Sequence, residues 1–306
     1  MKKTKHIWIF SDGIKGHETQ SLALAKSLSN SCQIFNCGIR QPWLSFAPRI
    51  LPRFGRNILW FGQPADAKDS PSLIITCGRR MAAVGKYYKR RCACKHIQIL
   101  NPGDNPSKYD VLLVPEHDGI TAKNIIRTKG SLHVINSGFL QQIRQRYPEF
   151  SQNQAMIGFF VGNPNKKFIK QLPTLAKQIQ QHYPKHKIML SGSRRTSKTL
   201  KKALKQHFNQ ADLIWFSEED GENPYQKLLA FCDLFLVTAD SINMLSEACA
   251  TNKKVVALAA ETASLKHQRF VQSLSSRISA LSDDVDGFQP LETLETVSMQ
   301  LRKFIN

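Results

Sequence analysis

Short apolar runs rich in Ile, Val and Leu alternate with helical patterns along the chain, and this alternation constrains the fold more than any other feature. Strand, helix and strand in succession build a parallel sheet covered by helices on both faces. In the first half the strand candidates are Ile7–Phe10, Gln33–Asn36, Leu73–Thr76, Ile97–Leu100, Val111–Val114 and His133–Ile135, with helical stretches such as Gln20–Leu28 and Arg79–Tyr88 between them. In the second half they are Met156–Val161, Ile188–Ser191, Leu213–Phe216, Leu234–Val237 and Val255–Leu258. Helices fall near Ile169–His182, Ser197–Phe208, Tyr225–Phe231, Ser241–Ala250 and Lys266–Leu274, and a last one at about Leu291–Phe304. One sheet of all these strands would be unusually wide, and 306 residues suit two domains of ordinary size. The polar, proline-containing stretch Gln141–Gln154 is the natural break. The expected class is α/β, with two Rossmann-like doubly wound domains, residues 1–150 and 151–306, facing a cleft. Ligands in such sheets bind beyond the C-terminal strand ends, so the loops just after the strands are where chemistry is sought.

The net charge is +20, which calls for a polyanionic partner, a phosphorylated substrate or simply a lysine-rich solvated surface. Lys166 to Lys205 is spaced as exposed helix faces, and no nucleic-acid motif or base-stacking platform accompanies it. No apolar run reaches the roughly 20 residues that span a bilayer, and the apolar stretch Ile7–Phe10 is too short for a signal peptide. The seven cysteines are irregularly spaced without a C-x-x-C pair, so neither a metal ribbon nor a disulfide framework is indicated. Cys77, Cys232 and Cys249 lie in apolar contexts as core residues. The expected location is the cytoplasm, with a peripheral association at the inner face of the membrane.

Six post-strand loops carry candidate residues. Asp12-Gly13-Ile14-Lys15-Gly16-His17 turns tightly into a helix whose first amides favour an anion or polar group. His17 there is a candidate general base, or else Asp12 caps a turn and His17 is merely exposed. Gly78-Arg79-Arg80 puts two cations at a helix start, against the dipole, which phosphate binding would justify and solvent exposure would equally allow. Glu116-His117-Asp118 packs three titratable groups at a strand end, suited to acid–base work or to a polar turn. Asn163, in Gly162-Asn163-Pro164-Asn165, and Ser193-Arg194-Arg195 together resemble a phosphate pocket. The last is Thr238-Ala239-Asp240-Ser241, a turn with Asp240 or Ser241 as N-cap of a helix that brings Met244 and Glu247 onto one face. A carboxylate at Glu247 suits ribose hydroxyls, and otherwise it is a surface residue.

Asp12-Gly13-x-Lys15-Gly16-His17-x-x-Gln20, Gly78-Arg79-Arg80, Pro115-Glu116-His117-Asp118, Ser193-Arg194-Arg195, Asn223-Pro224-Tyr225 and Thr238-x-Asp240-Ser241-x-x-Met244-x-Ser246-Glu247-Ala248 follow one another from residue 11 to about 274. In that order they resemble the mitochondrial-fission "elongated mitochondria" family, which has bacterial and plant members. The resemblance implies a GT-B glycosyltransferase build for a bacterial-type member, with the last helix packing back on the first domain. It also keeps two alternatives open: a nucleotide-sugar epimerase, and a non-catalytic membrane-associated adaptor of the kind associated with plant mitochondria. The chain is similar, too, to the peptidoglycan N-acetylglucosaminyltransferase. Gly16-His17 matches the end of that enzyme's glycine-rich loop, Ser241 to Glu247 its ribose-binding helix, and Lys266-His267-Gln268 its donor-facing helix. Lys15 departs from its all-glycine pattern and points to a different or charged acceptor.

The implied chemistry is sugar transfer from a nucleoside-diphosphate sugar, UDP by expectation, without metal or cofactor. Glu247 would hold the ribose, the Ser241–Asn243 amides with Arg194 and Arg195 the diphosphate, and His17 or Glu116/Asp118 would deprotonate the acceptor. Asn223, Tyr225, His267 and Gln268 would complete the donor side. Aromatics and arginines interleave from Trp43 and Phe46 to Trp60 and Phe61, which suits either an anionic membrane surface with a lipid-linked acceptor or an ordinary helix face.

Overall fold

The computed structural model describes residues 6–49, 70–151, 154–285 and 287–305. The chain forms two compact units. The first holds β1 (Ile7–Ser11), α1 (Lys15–Leu28), β2 (Cys32–Asn36), α2 (Trp43–Phe46), β3 (Leu73–Cys77), α3 (Gly78–Cys92), β4 (Lys95–Ile99), β5 (Val111–Pro115) and β6 (Ile125–Thr128). Its strands form a parallel sheet in the order β2-β1-β3-β4-β5-β6. β1 shows why the sequence reads as unbroken apolar residues. Ile7 and Ile9 pack with Leu24 and Ala25 of α1 on one face. Trp8 and Phe10 pack with Met81, Val84 and Tyr88 of α3 on the other, as the two-residue strand period requires.

The second unit begins at Ile135. It contains α4 (Ser137–Arg146), β7 (Met156–Phe160), α5 (Lys167–His182), β8 (Lys187–Ser191), α6 (Lys198–His207), β9 (Leu213–Trp215), α7 (Tyr225–Phe231), β10 (Leu234–Thr238), α8 (Ile242–Cys249), β11 (Lys254–Leu258) and α9 (Leu265–Ser273). The parallel order is β11-β10-β7-β8-β9. Ile157 and Phe159 meet α5 and α6. Met156 and Phe160 meet the opposite layer, which includes Leu140, Leu228, Leu245 and Phe270. Cys77, Cys232 and Cys249 are buried among core side chains, as their apolar contexts suggest.

Two expectations are corrected. The stretch 141–154 is no linker: its first part lies in α4, whose Leu140 and Ile143 enter the second unit's core with Phe139, Tyr147 and Phe150 against them. The Asn136 side chain starts this helix by accepting the Phe139 amide at 2.8 Å. The units therefore divide at Val134/Ile135 rather than 150/151. The sixth strand is Ile125–Thr128, paired with Leu112–Pro115, and not His133–Ile135. Leu132 and His133 are buried without joining the ladder, so burial alone gave that segment its strand-like pattern. The chain then returns to the first unit as α10 (Thr293–Ile305), where Val297 and Leu301 bury beside Ile7 and Leu24 and Ser298 Oγ lies 2.9 Å from Ser27 Oγ. Among the described residues no helix is long and apolar enough to cross a membrane.

Candidate functional site

The strand order of each sheet reverses once. In the first unit the chain leaves β1 for β2 on one side and runs from β3 to β6 on the other. The loops after β1 and β3 therefore bound the crevice where open α/β sheets take ligands. Asp12 lies in the first of these loops, its side chain only 5% exposed, with its carboxylate oxygens 3.2 and 3.3 Å from His17 Nδ1. Burial alone would raise the Asp12 pKa, but the His17 imidazole and the Ile14 amide outweigh it and hold the carboxyl below its usual range. The positive φ of Gly13, 76°, makes the turn between them.

The imidazole lies against Gly78, where a methyl group would come within 2.7 Å of His17 Cε1. Gly78 also has φ +79°, so space and backbone both demand glycine. With a carboxylate on Nδ1, the neutral ring carries its proton there and presents Nε2 as a proton acceptor. Nε2 has no hydrogen bond among the described residues. Lys15 pairs with Glu18 at 3.2 Å, and the buried Gln20 side chain donates to the Gly16 carbonyl. Arg79 donates through Nε to the Ala47 carbonyl and thereby anchors the α2 segment, while Arg80 is exposed.

Glu116, His117 and Asp118 form a short turn after β5, with His117 Nε2 3.7 Å from Asp118 Oδ1. β5 lies three strand positions from β1, about 14 Å at ordinary strand spacing. The two groups of candidate acid–base residues thus occupy different places on the same edge. Of the aromatic–arginine segment, Trp43, Phe46, Arg40 and Arg49 are described, whereas Arg53, Phe54, Arg56, Trp60 and Phe61 lie outside the described residues.

In the second unit the order reverses between β7 and β10, and the loops there are bonded to one another. Thr238 Oγ1 accepts the Gly162 amide at 2.9 Å, and Asp240 Oδ2 accepts the Asn163 amide at 2.8 Å. A methyl on Gly162 would meet Asp240 Oδ2 at 2.4 Å. Asn163 Oδ1 accepts the Ser197 amide, and Ser193 Oγ accepts the Arg195 amide. Thr196, which sequence reasoning missed, reaches the Val161 and Gly162 carbonyls at 3.0 and 2.7 Å and accepts the Ser193 amide. The guanidinium of Arg195 stands 3.9 Å from Asp240, and Arg194 is exposed. α8 opens at this crevice, with first-turn amides that have no partner within the helix. Ser241 occupies the N-cap position without a side-chain bond, and Asp240 is committed to Asn163. Neither side chain is therefore the expected cap.

Glu247 is no surface residue: half-buried, it accepts the Tyr225 hydroxyl at 2.5 Å. Burial pushes its carboxyl up to about 7, against the opposing pull of that hydrogen bond. Tyr225 is driven up by burial and by the adjacent carboxylate. Asn223 Oδ1 accepts the Tyr225 amide and so shapes the start of α7. Met244, three residues before Glu247 on α8, packs on the same apolar core as Tyr225. His267 Nδ1 lies 2.8 Å from Ser264 Oγ, and burial lowers its pKa, with Asp240 acting in the opposite sense. Gln268 donates to the Glu261 and Ala263 carbonyls and so holds the loop after β11.

The family model described as Mitochondrial fission ELM1 matches residues 15–302. An uncharacterised protein of Rickettsia prowazekii is 27% identical over 318 residues, covering 88% of each chain. Mitochondrial fission protein ELM1 of Arabidopsis thaliana is 28% identical over 264 residues, covering 74% of this chain and 61% of the plant protein, so the match spans less than two thirds of that relative. A Listeria monocytogenes structure assigned as a UDP-N-acetylglucosamine 2-epimerase covers 98% of this chain and 88% of its own, with a TM-score of 0.51 and 10% identity, a likeness of fold alone.

Proposed function

The chain belongs to the mitochondrial fission ELM1 family, and from that premise we propose that it binds a nucleoside-diphosphate sugar in its second unit and transfers the sugar to a hydroxyl acceptor. The observation that carries this reading is the Asp12–His17 pair at the first unit's reversal of strand order. A buried carboxylate that fixes an imidazole at Nδ1 readies the other ring nitrogen for proton transfer, an arrangement a passive scaffold does not require.

In the proposed reaction His17 Nε2 takes the acceptor hydroxyl proton as that oxygen bonds to the anomeric carbon. The bond from that carbon to the diphosphate breaks, and the nucleoside diphosphate leaves. The first amides of α8, with Arg194 and Arg195, stabilise the departing charge. Glu247, ionised and turned from Tyr225, accepts the ribose hydroxyls. Asn163, Ser193, Thr238, His267 and Gln268 shape the donor pocket, and Lys15 and Arg80 face an acceptor that carries negative charge. Glu116 and Asp118 act at most on the acceptor, since their strand is remote from β1.

A UDP-sugar series tests the reading by calorimetry and by assay of released nucleotide. Saturable binding, with nucleotide released only when a hydroxyl acceptor is supplied, supports transfer. Sugar epimerisation without acceptor would assign the epimerase reaction instead. The absence of binding to any nucleotide sugar would leave the adaptor reading that the family description favours.

A further inference from the structure

Residues 150–211 contain twelve Lys or Arg and not one Asp or Glu, in a chain whose net charge is +20. The fold gathers these cations. α5 and α6 connect β7 to β8 and β8 to β9 in one direction across the sheet, and both bury their apolar stripes on the same face. Phe168, Leu172, Leu175 and Ile179 of α5 join Leu200 and Leu204 of α6 there. The opposite sides of the two helices face solvent, with Lys167, Lys170, Lys177, Lys198, Lys202 and Lys205 all exposed.

This arrangement opposes local helix physics. Lys198 and Lys202 stand four apart, as do Lys201 and Lys205, and like charges at that spacing repel. Lys166, Lys167 and Lys198 sit at helix starts, where the dipole disfavours cations. Lys167, Lys170, Lys198 and Lys202 have no carboxylate partner among the described residues. A bound polyanion would relieve each of these costs.

We propose that the outer face of α5 and α6 is a docking surface for an anionic bilayer. The two helices are about 24 and 15 Å long and pack side by side about 10 Å apart, so they present a broad flat array rather than a rod that enters a groove. No large apolar side chain is exposed on either helix, which leaves no platform for stacking bases and no wedge for insertion. Ten of the twelve cations are lysine. Lysine is a mobile point charge that suits fluid headgroups, whereas fixed bidentate phosphate recognition favours arginine. Contact of this kind is electrostatic and decays within a Debye length.

The test is co-sedimentation of the full chain with vesicles of phosphatidylcholine alone and with about a third phosphatidylglycerol. Wild type binds only the anionic vesicles and is released as salt rises. The variant K167Q/K170Q/K198Q/K202Q loses at least about tenfold in affinity while melting at or above the wild-type temperature. A charge-matched variant of the first unit, K26Q/K123Q/R302Q/K303Q, keeps its binding. Failure of wild type to bind anionic vesicles, or equal loss in both variants, would overturn the assignment. So would tighter binding to duplex RNA than to vesicles at equal phosphate concentration. None of these outcomes depends on sugar transfer.

Discussion

Asp12, His17 and Gly78 form a single device, and each can be tested separately. Under the proposed chemistry Asp12→Asn leaves the ring in place but replaces the charged acceptor for its Nδ1 proton with a neutral amide, whose NH2 favours the wrong ring tautomer. Its kcat is expected to fall by about 10³–10⁴-fold, with KM little changed, in the nucleotide-release assay. Gly78→Ala forces a Cβ into a positive-φ backbone and against His17 Cε1, with an expected loss of about 1–3 kcal/mol in a urea titration. Glu247 gives a pH prediction. Folded, it keeps its proton to about pH 7, against an ordinary value of 4.5. Between those values the folded state binds the extra proton, so this group's contribution to stability falls as pH rises through the window. Glu247→Gln flattens that segment of the stability profile. Tyr225→Phe removes the bond that counters burial and moves the Glu247 titration, followed by carboxylate NMR, further upward. In the wild type, ribose binding by an ionised Glu247 strengthens as pH rises through about 7.

At the level of elements, strand–loop–helix segments were readable wherever one local pattern encodes them. The Asp12–His17 loop and the turn from Thr238 into α8 both lie where the apolar period changes. What stayed hidden depends on which strands are neighbours. His17 meets Gly78 only because β1 lies beside β3, and Tyr225 meets Glu247 across 22 residues. The misplaced sixth strand and the helix at 137–146 have a common origin: hydrophobicity marks burial, but it does not say whether the backbone pairs or which core receives the side chain. α10 offers a test of that second question. Leu301 is fully buried beside Ile7 and Leu24, so Leu301→Ala is expected to cost about 2–5 kcal/mol. Hydrogen exchange should show the loss in the strands of the first unit and leave β7–β11 protected.

Across the whole molecule, the two units differ in what a ligand should stabilise. A nucleotide sugar at 100 times its Kd adds about 2.7 kcal/mol to the state that binds it. Exchange protection is expected at 161–166, 192–196 and 238–244, and a melting shift without protection there would count against the donor assignment. The route of the chain has a separate consequence, for biosynthesis. The second unit is contiguous from Ile135 to Glu292, whereas the first is closed by residues from Thr293 onward. At about 5–20 residues per second, the nascent chain exposes every strand of its N-terminal sheet well before Val297 and Leu301 emerge to cover it. Folding during translation therefore returns to where it began: the first core is completed only once α10 has emerged after the whole of the second unit, and until then it remains open to chaperones and proteases.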